Sequence, residues 1–227
     1  ARSLSLEGPM ASGSSRPTGQ GGTTHFVVAD AEGNVVSWTQ TIGEWYGSGV
    51  TIPGTGLLLN NTMSDFAPQP GVPNSHGYIY SEANGIAGGK APLSSQSPMI
   101  ICRDGRPILA VGAAGGPRII SSVLQVILHI LEHGRDVASA LHAPRIHGQI
   151  GPVLAEPGFS VDTLGILQER GWPIELIDSG QLTSFVHALT IDEGRIQVGA
   201  DPRTEGAGGL LTEAPGGETY LGVCSLS

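Results

Sequence analysis

The 227-residue chain carries 11 Lys and Arg against 20 Asp and Glu, a formal charge of -9 at pH 7, so it offers no basic surface that could displace counterions from nucleic-acid phosphates. At 39% hydrophobic and 14% charged residues it can fill a core, which excludes a disordered acidic tail. No apolar run reaches the roughly 18 residues of a membrane span, the N-terminus lacks a basic-then-apolar signal pattern, and 2 cysteines are too few to staple a secreted domain.

Residues 1–22 set Gly8, Pro9, Gly13, Pro17, Gly19, Gly21 and Gly22 among serines and read as a flexible linker. Structure is expected to begin at Thr23, where β-rich stretches 24–28 and 35–39 flank a turn at Gly33 and form a hairpin. A second hairpin is expected from 99–102 to 108–111 around Asp104 and Gly105. The clearest helix spans 117–133, with Pro117 at its start and Gly134 as a left-handed stop. Its apolar residues cover most of the circumference, which predicts a helix held between packed layers, with Ser122, Gln125, His129, Glu132 and His133 as its solvent stripe. A short helix is expected from Asp136 to before Pro144, and another over 161–170 capped by Ser160. A third hairpin pairs 186–191 with 195–198. Strands, then helices, then strands again predict a layered α+β sandwich dominated by antiparallel sheet. Residues 23–209 form the expected domain, and 210–227 an extension with no assigned role.

The chemistry of single residues leaves two readings at each position. Thr23 stands where a Gly-Gly stretch meets a strand, and the bond after Gly22 is sterically open to a neighbouring hydroxyl. Attack by its Oγ1 on the Gly22 carbonyl, then hydrolysis, would free an α-amine with a reference pKa of roughly 7.7 to 8.0, able to act as base for its own hydroxyl. A threonine after a flexible linker is also an ordinary strand start. Gly115-Gly116, between a strand and the long helix, would present backbone N–H groups to an oxyanion, or serve only as a tight turn. The glycine-rich phosphate loop is excluded because its Lys-Ser/Thr end is missing. Ser94 and Ser95, in a proline-bounded loop, suit a carboxylate or plain solvent, and Asp65 suits a substrate ammonium or a helix cap. His129 and His133 have the i, i+4 spacing of zinc ligands, but the polar stripe favours a solvated face over a metal site. The remaining histidines, His25, His76, His142, His147 and His187, are expected in structural or surface roles.

Taken in order, Thr23-Thr24-His25-Phe26 with Gly33-Asn34, Gly54-Thr55-Gly56-Leu57-Leu58-Leu59-Asn60-Asn61, Asp65-Phe66, Pro92-Leu93-Ser94-Ser95-Gln96-Ser97-Pro98, Gly115-Gly116-Pro117-Arg118-Ile119, Ala143-Pro144-Arg145 and Asp201-Pro202-Arg203 resemble the small catalytic subunit of the γ-glutamyltransferase family. The resemblance implies an N-terminal-nucleophile hydrolase fold, with two antiparallel sheets stacked between helical layers. It implies Thr23 as the nucleophile freed by autoprocessing at Gly22-Thr23, Thr41 as the hydroxyl bonded to it, and Gly115 and Gly116 as oxyanion-hole amides. Ser94 and Ser95 would bind the donor's α-carboxylate and Asp65 its α-amine. No metal or organic cofactor is implied. The implied partners are a small-molecule γ-glutamyl or other acyl amide and a large subunit from the same precursor, with self-association as the alternative.

Two departures bear on the donor. Gly43 stands where the γ-glutamyl enzymes have an Asn, and Thr62 replaces a Gln or Glu that helps hold the α-amine. Each removes a polar group from donor recognition, with Glu44 or Trp45 as possible substitutes. An acylase of the same fold for a non-γ-glutamyl amide, and a non-catalytic unprocessed chain needing a partner, are the alternative readings.

Overall fold

In the computed structural model, the described residues are 21–74, 77–178, 180–192, 195–211 and 220–225; most of the linker, His76 and the tip of the third hairpin lie outside them. All three hairpins form. β1 (Thr23–Asp30) and β2 (Val35–Thr41) pair through a turn in which the Asp30 carboxylate accepts from the backbone N–H groups of Glu32 and Asn34 at 3.0 and 2.8 Å, with Gly33 at φ 88°. β3 (Met99–Arg103) pairs with β4 (Arg106–Ala114), and β8 (Phe185–Asp192) with β9 (Arg195–Gly199).

With β10 (Gly206–Leu211) and β11 (Tyr220–Ser225), the strands build two antiparallel four-stranded sheets, ordered β10-β11-β1-β2 and β3-β4-β8-β9. β1 alternates strictly: Thr23, His25, Val27 and Ala29 point inward and their neighbours outward, as a period of two requires. The inward set meets the second sheet, where Val27 and Ala29 pack on Ala110 and Leu189, and Ser37 Oγ donates to Val111 O at 3.2 Å. The second sheet's other face packs on α1 (Arg118–Leu131) and α2 (Val137–His142), with Leu109, Val111, Ile119, Val123, Val126 and Leu141 fully buried. Helix, sheet and sheet are thus stacked as three layers. A smaller sheet, β5 (Ile146–His147), β6 (Val153–Ala155) and β7 (Ile174–Leu176), contains one parallel pair joined by α3 (Val161–Glu169), whose first turn is capped by Ser160 Oγ accepting from Thr163 N–H at 3.1 Å.

Two expectations are corrected. The boundary at 209/210 falls inside β10 (Gly206–Leu211), and β11 (Tyr220–Ser225) lies between β10 and β1, from Phe26↔Cys224 to Asp30↔Tyr220. Unpaired N–H and C=O groups along that edge of β1 would be costly, and this segment satisfies them. The solvent face of α1 is also not the whole expected stripe: Glu132 and His133, just past its end, are exposed, but Ser122 and Gln125 turn inward. Ser122 is fully buried, and the Gln125 side chain donates to Ile146 O and accepts from Ile146 N–H, tying the helix to β5. The outward face is instead the apolar row Ile120, Leu124, Leu128 and Leu131, of which Ile120 and Leu124 are each 54% exposed. The outer face of the first sheet is likewise uncovered among the described residues, with Val36 and Trp38 exposed and Phe26 stacked on Trp38.

Candidate active site

The site lies at the end of the first sheet nearest the start of β1. Register sets Thr23 opposite Thr41, and the two hydroxyl oxygens are 2.9 Å apart. Thr41 Oγ1 also donates to Gly22 O at 3.1 Å and accepts from Gly43 N–H at 2.9 Å. With its single proton directed at Gly22 O, Thr41 is left to accept from the Thr23 hydroxyl. Gly22 O receives a second bond, from Ile42 N–H at 2.8 Å. The carbonyl next to the candidate nucleophile is therefore polarised by two donors. Gly22 sits at φ 108°, and a Cβ there would stand 2.8 Å from Gly43 O and 2.9 Å from Glu44 O, so only glycine fits.

Thr23 and Thr41 open onto a pocket whose other walls come from distant segments: Asp65 from the 3-10 turn Thr62–Asp65, Ser94, Ser95 and Gln96 from the proline-bounded loop, and Gly116 and Ile119 from the start of α1. Six of the residues singled out in the sequence, Thr23, Thr41, Asp65, Ser94, Ser95 and Gly116, line this one pocket. Gly115, at φ 130°, lies one residue back in the same turn. α1 follows Pro117 at its N-cap and has no side-chain cap; Ile119 N–H donates to Gly116 O at 3.1 Å, and the helix start brings partial positive charge to the pocket wall. Glu44, named in the sequence as a substitute in donor recognition, also lines the pocket; Ser64, in the 3-10 turn, and Gln96, in the proline-bounded loop, were not anticipated there, because no periodicity marks a functional side chain in such short segments.

The two departures have different structural meanings. A Cβ at Gly43 would stand 1.8 Å from Asn61 Oδ1, which accepts from Glu44 N–H at 2.9 Å. Asn61 therefore fills the space that a side chain at 43 would use. Thr62 is turned aside: its hydroxyl donates to Asn60 Oδ1 at 2.6 Å and does not line the pocket.

Beneath Thr23 the same ladder continues inward. His25 Nδ1 is 2.8 Å from Thr39 Oγ1, and the ring faces His187 across the sheets with centroids 6.5 Å apart. Both rings are fully buried, and burial followed by the neighbouring His187 lowers His25 to about 3. The imidazole is therefore neutral at ordinary pH, and its structural assignment stands. His129 and His133 are adjacent on α1, with ring centroids 5.8 Å apart, and no group of three or more His, Cys, Asp or Glu among the described residues could hold a metal ion.

Comparison with known proteins matches residues 4–211 to the family model described as gamma-glutamyltranspeptidase. The chain is 40% identical over 184 residues to the glutathione hydrolase proenzyme of Escherichia coli (strain K12), covering 80% of this chain and 31% of that protein. It thus spans about a third of that relative's length. Its structure is similar to that of a mutant of Helicobacter pylori gamma-glutamyltranspeptidase, with a TM-score of 0.73 at 38% identity over 80% of this chain and 100% of that one. An acylase, the ACY 1 proenzyme of Pseudomonas sp. (strain SE83), is 35% identical over 178 residues, 78% of this chain and 30% of that protein.

Proposed function

Because the chain belongs to the gamma-glutamyltranspeptidase family, we propose that it supplies the catalytic threonine of an amidohydrolase or acyltransferase acting on γ-glutamyl amides such as glutathione. One observation carries this reading: the Thr23–Thr41 hydroxyl pair, 2.9 Å apart, opens onto the pocket that gathers Asp65, Ser94, Ser95 and Gly116.

Maturation comes first. Thr23 Oγ1 attacks the Gly22 carbonyl carbon while its proton leaves through Thr41, and the C–N bond breaks as the Thr23 nitrogen takes up a proton. Water then cleaves the resulting ester, leaving a carboxylate on Gly22 and a free amine on Thr23. In turnover that amine accepts the hydroxyl proton as Oγ1 attacks the γ-carbonyl of the donor. The N–H groups at Gly115 and Gly116 receive the developing oxyanion. Collapse passes the proton to the leaving amine and leaves an acyl ester on Thr23, which water or an acceptor amine then cleaves. The donor's α-carboxylate meets the Ser94 and Ser95 hydroxyls, and its ammonium meets Asp65. Glu44, in the same pocket, offers a second carboxylate where position 43 has no side chain. The reading includes a large subunit of the same precursor as partner, supported by the uncovered apolar faces of α1 and the first sheet.

Intact-mass measurement with release of p-nitroaniline from its γ-glutamyl derivative tests this. The unaltered protein splits between Gly22 and Thr23 and turns over, whereas Thr23→Ala stays whole and releases nothing. A second reading, an acylase for a donor without the amino-acid head group, draws on Thr62 facing away from the pocket. It predicts release from a glutaryl anilide but not from the γ-glutamyl compound.

A further inference from the structure

Behind the Gly115-Gly116 turn lies a strained segment for which the proposed reaction has no use. Thr183 holds φ 47°, a left-handed conformation that a β-branched residue adopts only when its surroundings impose it. Its carbonyl oxygen lies 2.5 Å, and the next residue's Cα 2.7 Å, from where a Cβ at Gly115 would stand, so the segment and the turn touch through backbone. Two arginines hold the segment in place. Arg118, the first residue of α1, donates from Nη1 to Thr183 Oγ1 at 3.1 Å. Arg145, fully buried, donates to Ser184 O at 3.1 Å and is itself fixed by Asp201 at 2.7 Å. Phe185 then pairs with Ala114, the last residue of β4. The Arg118–Thr183 bond thus closes a loop running from α1, through the strained threonine, back to the turn from which α1 starts.

We infer that Thr183, clamped by Arg118, is a positioning residue that sets the direction of the Gly115 and Gly116 amides toward the reacting carbonyl. This rests on the reading of those amides as the oxyanion hole. The strain localises the role: a residue needed only for packing would have no reason to be a threonine at this φ, where glycine or asparagine is easier. The hydroxyl is what glycine would lack, and the hydroxyl is what Arg118 grips. Freed from the clamp, the segment can relax away from Gly115, and the amides lose aim without losing the donor's binding groups, which lie on other loops.

The test uses protein expressed from its full coding sequence, with rates normalised to titrated acylatable Thr23 and the γ-glutamyl anilide as substrate. Thr183→Gly removes strain and hydroxyl together. It is expected to keep or raise the unfolding midpoint while kcat falls about tenfold to a hundredfold, as a misplaced catalytic group does, with KM within about twofold. Thr183→Ser is expected to restore kcat, and Arg118→Met to lower it as Thr183→Gly does. Equal kcat in the unaltered and Thr183→Gly proteins overturns the positioning role alone, as does a loss shared equally by Thr183→Gly and Thr183→Ser. Absence of any acyl-enzyme in the unaltered protein overturns the oxyanion-hole reading and this role with it.

Discussion

At position 43 the absent side chain and its neighbour form one unit. Asn61 Oδ1 stands 1.8 Å from where a Cβ at 43 would be, at a residue with φ 89°, so any side chain there needs Asn61 to withdraw. Gly43→Ala is therefore expected to destabilise by about 1 to 3 kcal/mol through overpacking. Asn61→Ala alone should cost about 1 kcal/mol for the hydrogen bond it makes to Glu44 N–H. Because the two changes share one space, the double variant should be more stable than the sum of the singles, a coupling that urea unfolding of the four proteins measures. Additive effects would contradict the shared-space account. Residue chemistry of this kind was only partly legible in the sequence. The glycine at 43 could be seen as a lost donor contact, but not as a place already filled, because the group that fills it comes from a different loop. Thr23, Asp65, Ser94 and Ser95 each carried an equally good ordinary explanation until the pocket brought them together.

Elements were more legible than residues, because local signals dominate them. The hairpin turn at Gly33, the Ser160 cap and the Gly134 stop at φ 62° all stand where turn and cap chemistry put them. What local pattern could not fix was which way a helix faces. In α1, Ser122 is buried and Gln125 reaches β5 while Ile119, Val123 and Val126 pack on the second sheet, and the row Ile120, Leu124, Leu128 and Leu131 turns out as an apolar face open to a covering surface. The contrast can be measured. Ser160→Ala removes a cap that α3 uses and should cost about 1 kcal/mol. Leu124→Ala on the exposed row should cost this chain less than about 0.5 kcal/mol, whereas Val126→Ala, fully buried one turn-face away, should cost about 2 kcal/mol. Equal losses at Leu124 and Val126, read from denaturant midpoints, would contradict the assigned orientation. β11 was missed for a related reason: its Gly222 and the glycine-rich β10 before it suppress strand propensity, and pairing with β1 overrides that preference.

At the scale of the whole molecule, acid is the natural probe. His25 titrates near 3 in the folded chain and near 6.5 when unfolded, and His187 is lowered in the same sense by burial. Between those limits the unfolded chain binds more protons, so stability rises with pH across the window and is lost as pH falls through it. His25 alone should remove about 2 kcal/mol between neutral pH and about pH 5. His25→Asn should flatten that slope in denaturant titrations; an unchanged slope would place the acid sensitivity elsewhere. β1 is an interior strand, laced to β2 on one side and β11 on the other. Cutting a polypeptide beside a strand ordinarily leaves a fraying end, yet here the newly made terminus would stay paired with Thr41 of β2, while β11 grips the same strand from Phe26 onward. A severed chain could therefore keep its first residue aimed as firmly as an uncut one, with the last strand of the sequence acting as the splint for the first.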